Sequence, residues 1–235
     1  MIAVFINAAL VLAGSALGLL LKNRFSQRLG DAIVKCLGLC TLGIGAGSLL
    51  GTGNTLCVIV CMALGTLLGE WIDIEKRLDG AGEALKRRFV RDGSGSFAEG
   101  FVTATVLYCV GAMAINGSID AGLRHSYGIL VSKSVLDGIS SITFTAAMGV
   151  GVAFSVVPIL VYEGALVLLA GAVGPYLGEA VITEMSAVGG AIIVGIALNM
   201  MDLPREKLRV GNMLPAIFLP IAYLPLEAWV RSLVG

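Results

Sequence analysis

Residues 127–148 read YGILVSKSVLDGISSITFTAAM, and this stretch decides what kind of molecule the chain builds. At about 1.5 Å of rise per residue it is long enough to cross the hydrocarbon core of a bilayer, which takes roughly 20 residues. Yet it carries Lys133, Asp137, Ser140 and Ser141. With about 100° between successive residues, the four positions fall within an arc of about 100°, and the opposite face is left to Ile, Leu, Val and Phe. An ion pair spaced i, i+4 inside lipid must face protein or water, because an unpaired charge there costs several kcal/mol. The stretch is therefore a predicted span and the first candidate for a working site.

Composition points the same way. Of 235 residues, 57% are hydrophobic and 14% charged, against about 25% charged in a soluble domain. The 16 basic and 16 acidic residues cancel, so there is no basic field of the kind a nucleic-acid partner needs. The first apolar run has no positive segment before it and no small-residue cleavage site after it, which reads as a retained helix rather than a removed signal.

Working outward, about eight spans are predicted, or seven if part of 127–172 is re-entrant. The first runs from about Ile2 to Leu21, with Gly14 and Gly18 in a small-xxx-small pattern for close helix contact. The second covers Ala32 to Leu50, and after a turn at Gly51 to Asn54 the third returns through CVIVCMALGTLLG. From Glu70 to Arg91 apolar residues recur among charges, which fits an amphipathic helix on the membrane surface or an ordinary solvated connector. Asp92 to Ser96, DGSGS, is a flexible linker. The fourth span is placed near Phe97 to Ile115, and Asn116 to Ser126 is expected to be a polar turn. The fifth is the opening stretch, the sixth runs from about Val150 to Ala170 with Glu163 inside it, and the seventh from Ala180 to Met200. Pro215, Pro220 and Pro225 predict a bent or partly unwound eighth. The whole is one integral membrane domain.

The positive-inside rule supports this map. With the N-terminus outside, three inner connections hold Lys22, Arg24 and Arg28, then Lys76, Arg77, Lys86, Arg87, Arg88 and Arg91, then Arg205, Lys207 and Arg209. Outer segments hold Arg124 and Arg231 only, and Lys35 and Lys133 lie within spans. Both termini are thus expected outside a bacterial cytoplasmic membrane. The cysteine pairs Cys36/Cys40 and Cys57/Cys61 each share a helix face, but this topology puts them at opposite ends of neighbouring spans. They are expected to pack as small apolar side chains, and no metal site is expected.

An internal repeat emerges from AALVLAGSALG at Ala8 and GALVLLAGAVG at Gly164, which match at an offset of 156, and from LGDAIV at Leu29 and LGEAVI at Leu177, which match at 148. Spans one to three then correspond to spans six to eight. A displacement of five crossings inverts the second copy, the arrangement many transporters use for alternating access. It makes Asn7 and Glu163 equivalent. Counting rise from the span boundaries, Lys133 lies about 9 Å, Asp137 about 15 Å and Glu163 about 12 Å from the outer edge. The predicted ion or substrate path is lined by Lys133, Asp137, Ser140, Ser141, Glu163, Asn116 and Asn7. Asn199, Asp202 and Asn212 are expected to form a polar cluster at the inner mouth, or to cap helix ends.

The stretches FVTATVLYCVGAMAINGSIDAGL, SKSVLDGISSITFTAAMGVGVAFSVVPILVYEGAL, VGGAIIVGIALNMMD and GNMLPAIFLPI resemble the bacterial membrane proteins of domain of unknown function 554, across essentially the whole chain. Matching residues are Gly111, Asn116, Gly117, Ser118, Lys133, Asp137, Gly138, Asn199, Asn212 and Pro215. The resemblance implies a cytoplasmic-membrane protein, with transport suggested for some members and no substrate. It also implies Gln as the common residue where this chain has Glu163, which makes a negative charge there a feature of this chain.

Several readings stand side by side. Lys133 and Asp137 are a structural ion pair or line an ion or proton path. Glycines 38, 43, 45 and 47 are packing notches or a filter. An enzyme is not expected: His125 is the single histidine and sits in a loop, and no metalloprotease run, nucleophile dyad or phosphate loop is present. No cofactor is expected. The preferred expectation is a channel or secondary transporter for a small ion or solute. Its rival is a non-transporting scaffold that binds sister copies as a homo-oligomer or other proteins.

Overall fold

The computed structural model describes residues 1–22, 27–77, 80 and 97–234. Helices account for its regular structure, and there is no strand among the described residues. Six helical segments are long and apolar enough to cross a membrane, and two bent pairs bring the number to eight if each pair is one span.

The apolar runs fold as α1 (Ile2–Lys22), α2 (Gln27–Leu50) and α3 (Thr55–Ile72). Asn54 opens α3 by accepting the Cys57 amide on its side chain at 3.0 Å, as an N-cap does. Asp73 ends it in the left-handed region, φ 55. Residues 74–77 turn again as helix; most of the rest of the expected amphipathic segment, and the whole linker 92–96, lie outside the described residues.

The fourth span differs from expectation. It is two helices, α4 (Phe97–Val110) and α5 (Ala112–Leu123), bent by 56° at the break. Asn116 to Leu123 is therefore helical, and the turn is confined to 124–127. The apolar run continues through Gly111, so hydropathy alone reads across the kink. The opening stretch is α6 (Gly128–Met148). Gly149, at φ 88, then turns the chain into a 3-10 segment, Val150–Ser155, and α7 (Val156–Val173). This keeps the fifth and sixth spans separate. A 3-10 turn at Gly174–Tyr176 leads to α8 (Glu179–Met200). The last span is α9 (Val210–Met213), a 3-10 stretch Leu214–Phe218 and α10 (Pro220–Val234), bent by 49° where prolines remove backbone donors, as expected.

Glycines set the close helix contacts. Helices α1 and α6 run parallel: a Cβ on Gly14 would lie 2.1 Å from the Gly138 carbonyl oxygen, and one on Gly18 2.4 Å from that of Ile142. Antiparallel α2 and α8 meet where a Cβ on Gly45 would lie 2.8 Å from the Gly190 oxygen and one on Gly190 2.6 Å from the Gly45 oxygen. Gly69 of α3 touches Asn212 and Gly65 touches Ala216. Gly38 and Gly45 are thus notches, while a Cβ on Gly43 or Gly47 of the same helix would meet nothing within 4 Å among the described residues. A main core of Val11, Val106, Ile115, Phe144, Ile159 and Ile192 fills the bundle. Cys57 and Cys61 belong to it, 3.8 Å apart, whereas Cys36 and Cys40 are exposed rather than packed in the core as expected. No group of three metal-binding side chains occurs among the described residues.

Candidate functional site

Helix α6 carries Lys133 and Asp137 one turn apart, so both project from one side of it. Gly138, the residue after Asp137, lets α1 approach closely enough for Asn7 to reach the same spot, and α7 brings Glu163. Lys133 Nζ pairs with Asp137 Oδ2 and lies 3.0 Å from Glu163 Oε1. Asn7 donates through Nδ2 to Asp137 Oδ2 at 3.1 Å and to Glu163 Oε1 and Oε2 at 3.0 and 3.1 Å. Asn7 and Glu163 have no exposure, Lys133 has 5% and Asp137 7%. Lys133, Asp137 and Glu163, counted to similar depths from the sequence, meet here, and Asn7 joins them. Of the protein or water that such charges must face, it is protein that they meet here, since helices close over the cluster.

The other predicted path residues are distributed differently. Ser141 is buried, with its Oγ 2.7 Å from the Gly138 oxygen and 3.2 Å from the Val11 oxygen, where it serves the α1–α6 contact. Ser140 bonds the Asp137 carbonyl at 3.0 Å and stands 3.4 Å from the Tyr108 hydroxyl, beyond the usual O–H···O range. Asn116 is exposed and lines a cavity of about 750 Å³ with Asp120, Glu179, Thr183 and Ser186. The residues expected at the inner mouth do not bond one another through their side chains. Asn199 clasps Leu208 through both its backbone N–H and C=O, at 2.9 and 2.8 Å. Asn212 accepts the Glu75 amide at 2.7 Å. Asp202 is exposed in a turn at φ 53. Near Asn199, a second cavity of about 240 Å³ is lined by Glu75, Glu99, Thr103 and Lys207, and Lys207 pairs with Glu99 at 3.0 Å.

Two features escaped sequence reasoning. Glu184, 3% exposed, accepts from Thr52 Oγ1 at 2.6 Å and from the Gly53 and Asn54 amides at 2.8 and 3.0 Å, pinning the α2–α3 turn. Its signal was an acid in an apolar span, the same signal that drew notice to Glu163. Tyr108 and Cys109 of α4 lie beside the cluster; Asp137 acts electrostatically on both, and Lys133 and Glu163 on Cys109. Their positions depend on the α4–α5 break, which the sequence hides.

A polytopic helical bundle that encloses polar side chains from three of its spans, ionisable ones from two, is an integral membrane protein with a buried polar centre. The chain belongs to the family described as protein of unknown function DUF554, whose family model matches residues 2–224. It is 27% identical over 218 residues to "Uncharacterized membrane protein YdfK" of Bacillus subtilis strain 168, covering 91% of each chain. It is 30% identical over 228 residues to "Uncharacterized protein YqgA" of Escherichia coli strain K12, covering 95% of each. No solved structure matches the chain.

Proposed function

We propose that the chain is a secondary transporter for a small ion or solute in the bacterial cytoplasmic membrane, with both termini outside. Its working centre is Lys133, Asp137, Glu163 and Asn7. The observation that carries this reading is the buried cluster itself. An ammonium, two carboxylates and an amide from α1, α6 and α7 meet inside a membrane bundle, where ionisable groups are costly and mark pathways.

The cavities support a carrier over an open pore. The larger reaches α8 at Thr183 and the smaller reaches it at Asn199, about 24 Å apart along that helix. Both also touch the broken α4–α5 span, at Thr103 and Asn116. The cluster lies beside Tyr108 and Cys109, between those two positions in the chain. Such a site, closed in one state and opened to each side in turn, fits rocking of an inverted repeat. In support of the repeat, Asn7 and Glu163 stand at the offset of 156 that aligns the copies and bond each other directly. Antiparallel α2 and α8 meet reciprocally at Gly45 and Gly190.

The test is flux through proteoliposomes of the purified protein, screened over simple cations, anions, protons and small solutes. Asp137→Asn should remain folded and lose flux, and unchanged flux would remove Asp137 from the path. A scaffold that assembles with sister copies is the second reading. Its support is α2, the least covered of the six unbroken candidate spans, with Cys36, Cys40, Gly43 and Gly47 all exposed.

A further inference from the structure

Formal charges in the cluster do not balance. Lys133 contributes one positive charge, and Asp137 and Glu163 contribute two negative ones, in a site closed to bulk water. Leaving a net charge in such surroundings costs several kcal/mol even after relaxation. One more positive charge belongs there, and it is either a metal cation or a proton.

The ligand geometry separates these. A hard cation takes a shell of several oxygens, but the oxygens here already face nitrogen donors. Lys133 Nζ occupies the point between the carboxylates, touching Asp137 Oδ2 and standing 3.0 Å from Glu163 Oε1. Asn7 Nδ2 sits within 3.1 Å of both Glu163 oxygens and of Asp137 Oδ2. A cation entering would meet N–H groups. A proton needs only one carboxyl oxygen.

A second feature points the same way. Asn7 Oδ1 is fully enclosed and has no donor among the described residues. The amide nitrogen suits ionised carboxylates, while a half-turn of the amide would offer its oxygen to a carboxyl O–H. Asn7 can therefore serve both states of an acid that gains and loses a proton. Among the described residues, the other titratable groups facing the cluster are Tyr108 and Cys109 from α4 and Tyr162 from α7, all of them types that are neutral when protonated.

We propose that the centre is a proton site: Asp137 and Glu163 together hold one exchangeable proton, with Lys133 as the fixed counter-charge and Asn7 following the change. The inference rests on the transport reading for its place in a cycle. Uptake forms one O–H bond on a carboxyl oxygen with a proton from water at one face, and release breaks that bond to water at the other. The ion coupled to transport is then H⁺ rather than Na⁺.

The test is infrared spectroscopy of the purified full-length protein at neutral pH, reading the C=O band of protonated carboxyls and its shift in D₂O. Wild type should show a buried protonated carboxyl. Glu163→Gln and Asp137→Asn should each abolish it, because one remaining carboxylate balances Lys133. Lys133→Met should double it, and if that variant does not fold, the two near-isosteric variants decide. Replacing choline chloride with NaCl should change neither the band nor the melting temperature. A wild type without the band, a band that survives both single neutralisations, or a Na⁺-specific loss of the band would each overturn the proposal. If the band behaves as stated but proteoliposomes carry neither protons nor any screened solute, the proton site stands and the transport reading fails.

Discussion

Lys133 survives in an apolar interior because its ammonium meets two carboxylates at once, and each carboxylate is in turn held by Asn7. Hydrogen bonds to charged groups contribute about 1.5–3 kcal/mol each. Asn7→Leu, which keeps the branching of the side chain but donates nothing, should therefore lower stability by at least about 2–4 kcal/mol. At roughly 2–4 °C per kcal/mol, this is measurable as a lower melting temperature in detergent. Asn116→Ala, at an exposed cavity wall, should stay within about 0.5 kcal/mol of wild type. Glu184→Ala should cost about 1.5–3 kcal/mol, since it removes the charged acceptor that the part-buried Gly53 and Asn54 amides now share. Glu184→Gln, which keeps an acceptor oxygen, should cost less in the same melt. Lys133 with Asp137 was legible in the sequence because i, i+4 spacing guarantees a shared face. The partners of Glu184 lie 130 to 132 residues away, and nothing in a local pattern announces such a bond.

At the scale of the element, packing is governed by where backbones touch. Gly14 has no room for even a methyl group, since its Cβ would overlap the Gly138 oxygen, and membrane helices depend on such small-residue contacts. Gly14→Ala should force α1 and α6 apart, pull Asn7 from its carboxylates, and give a strongly destabilised or aggregated protein by size-exclusion chromatography. Gly43→Ala and Gly47→Ala on α2 face open space and should leave a monodisperse protein with an unchanged or slightly raised melting temperature, as removing a glycine from a helix interior does. The small-xxx-small spacing announced the first contact. Which of the α2 glycines pack was not legible, because a helix with small residues all round offers several equivalent faces, and α8 alone decides which is used. The break at Gly111 was hidden for a related reason: neither half-span changes composition there.

Across the whole molecule, alternating passes collect Glu70, Asp73, Glu99, Lys207 and Arg209 at one end, where Arg209 bridges Glu70 and Asp73 at 2.8 and 3.5 Å. Thr52, Asn54, Glu184 and Glu227 gather at the other. The charge-based topology assigns the Lys207 end to the cytoplasm. In a background without native cysteines, Lys207→Cys should react with an impermeant thiol reagent only in inside-out vesicles, and Asp120→Cys only in intact, right-side-out cells. The reverse pattern would invert the topology. The six unbroken candidate spans were readable from apolar length; the side-by-side pairing of distant spans emerged only in three dimensions. The placement of Lys133 and Asp137 on one helix also bears on biogenesis. Separately, each would penalise translocon insertion by about 2.5–3.5 kcal/mol at the centre of a span. As an i, i+4 couple they can neutralise each other while α6 is still leaving the ribosome, before α1 or α7 has docked. The membrane then receives a salt-bridged helix rather than two bare charges, and Glu163 is the acid that has to wait for its neighbours.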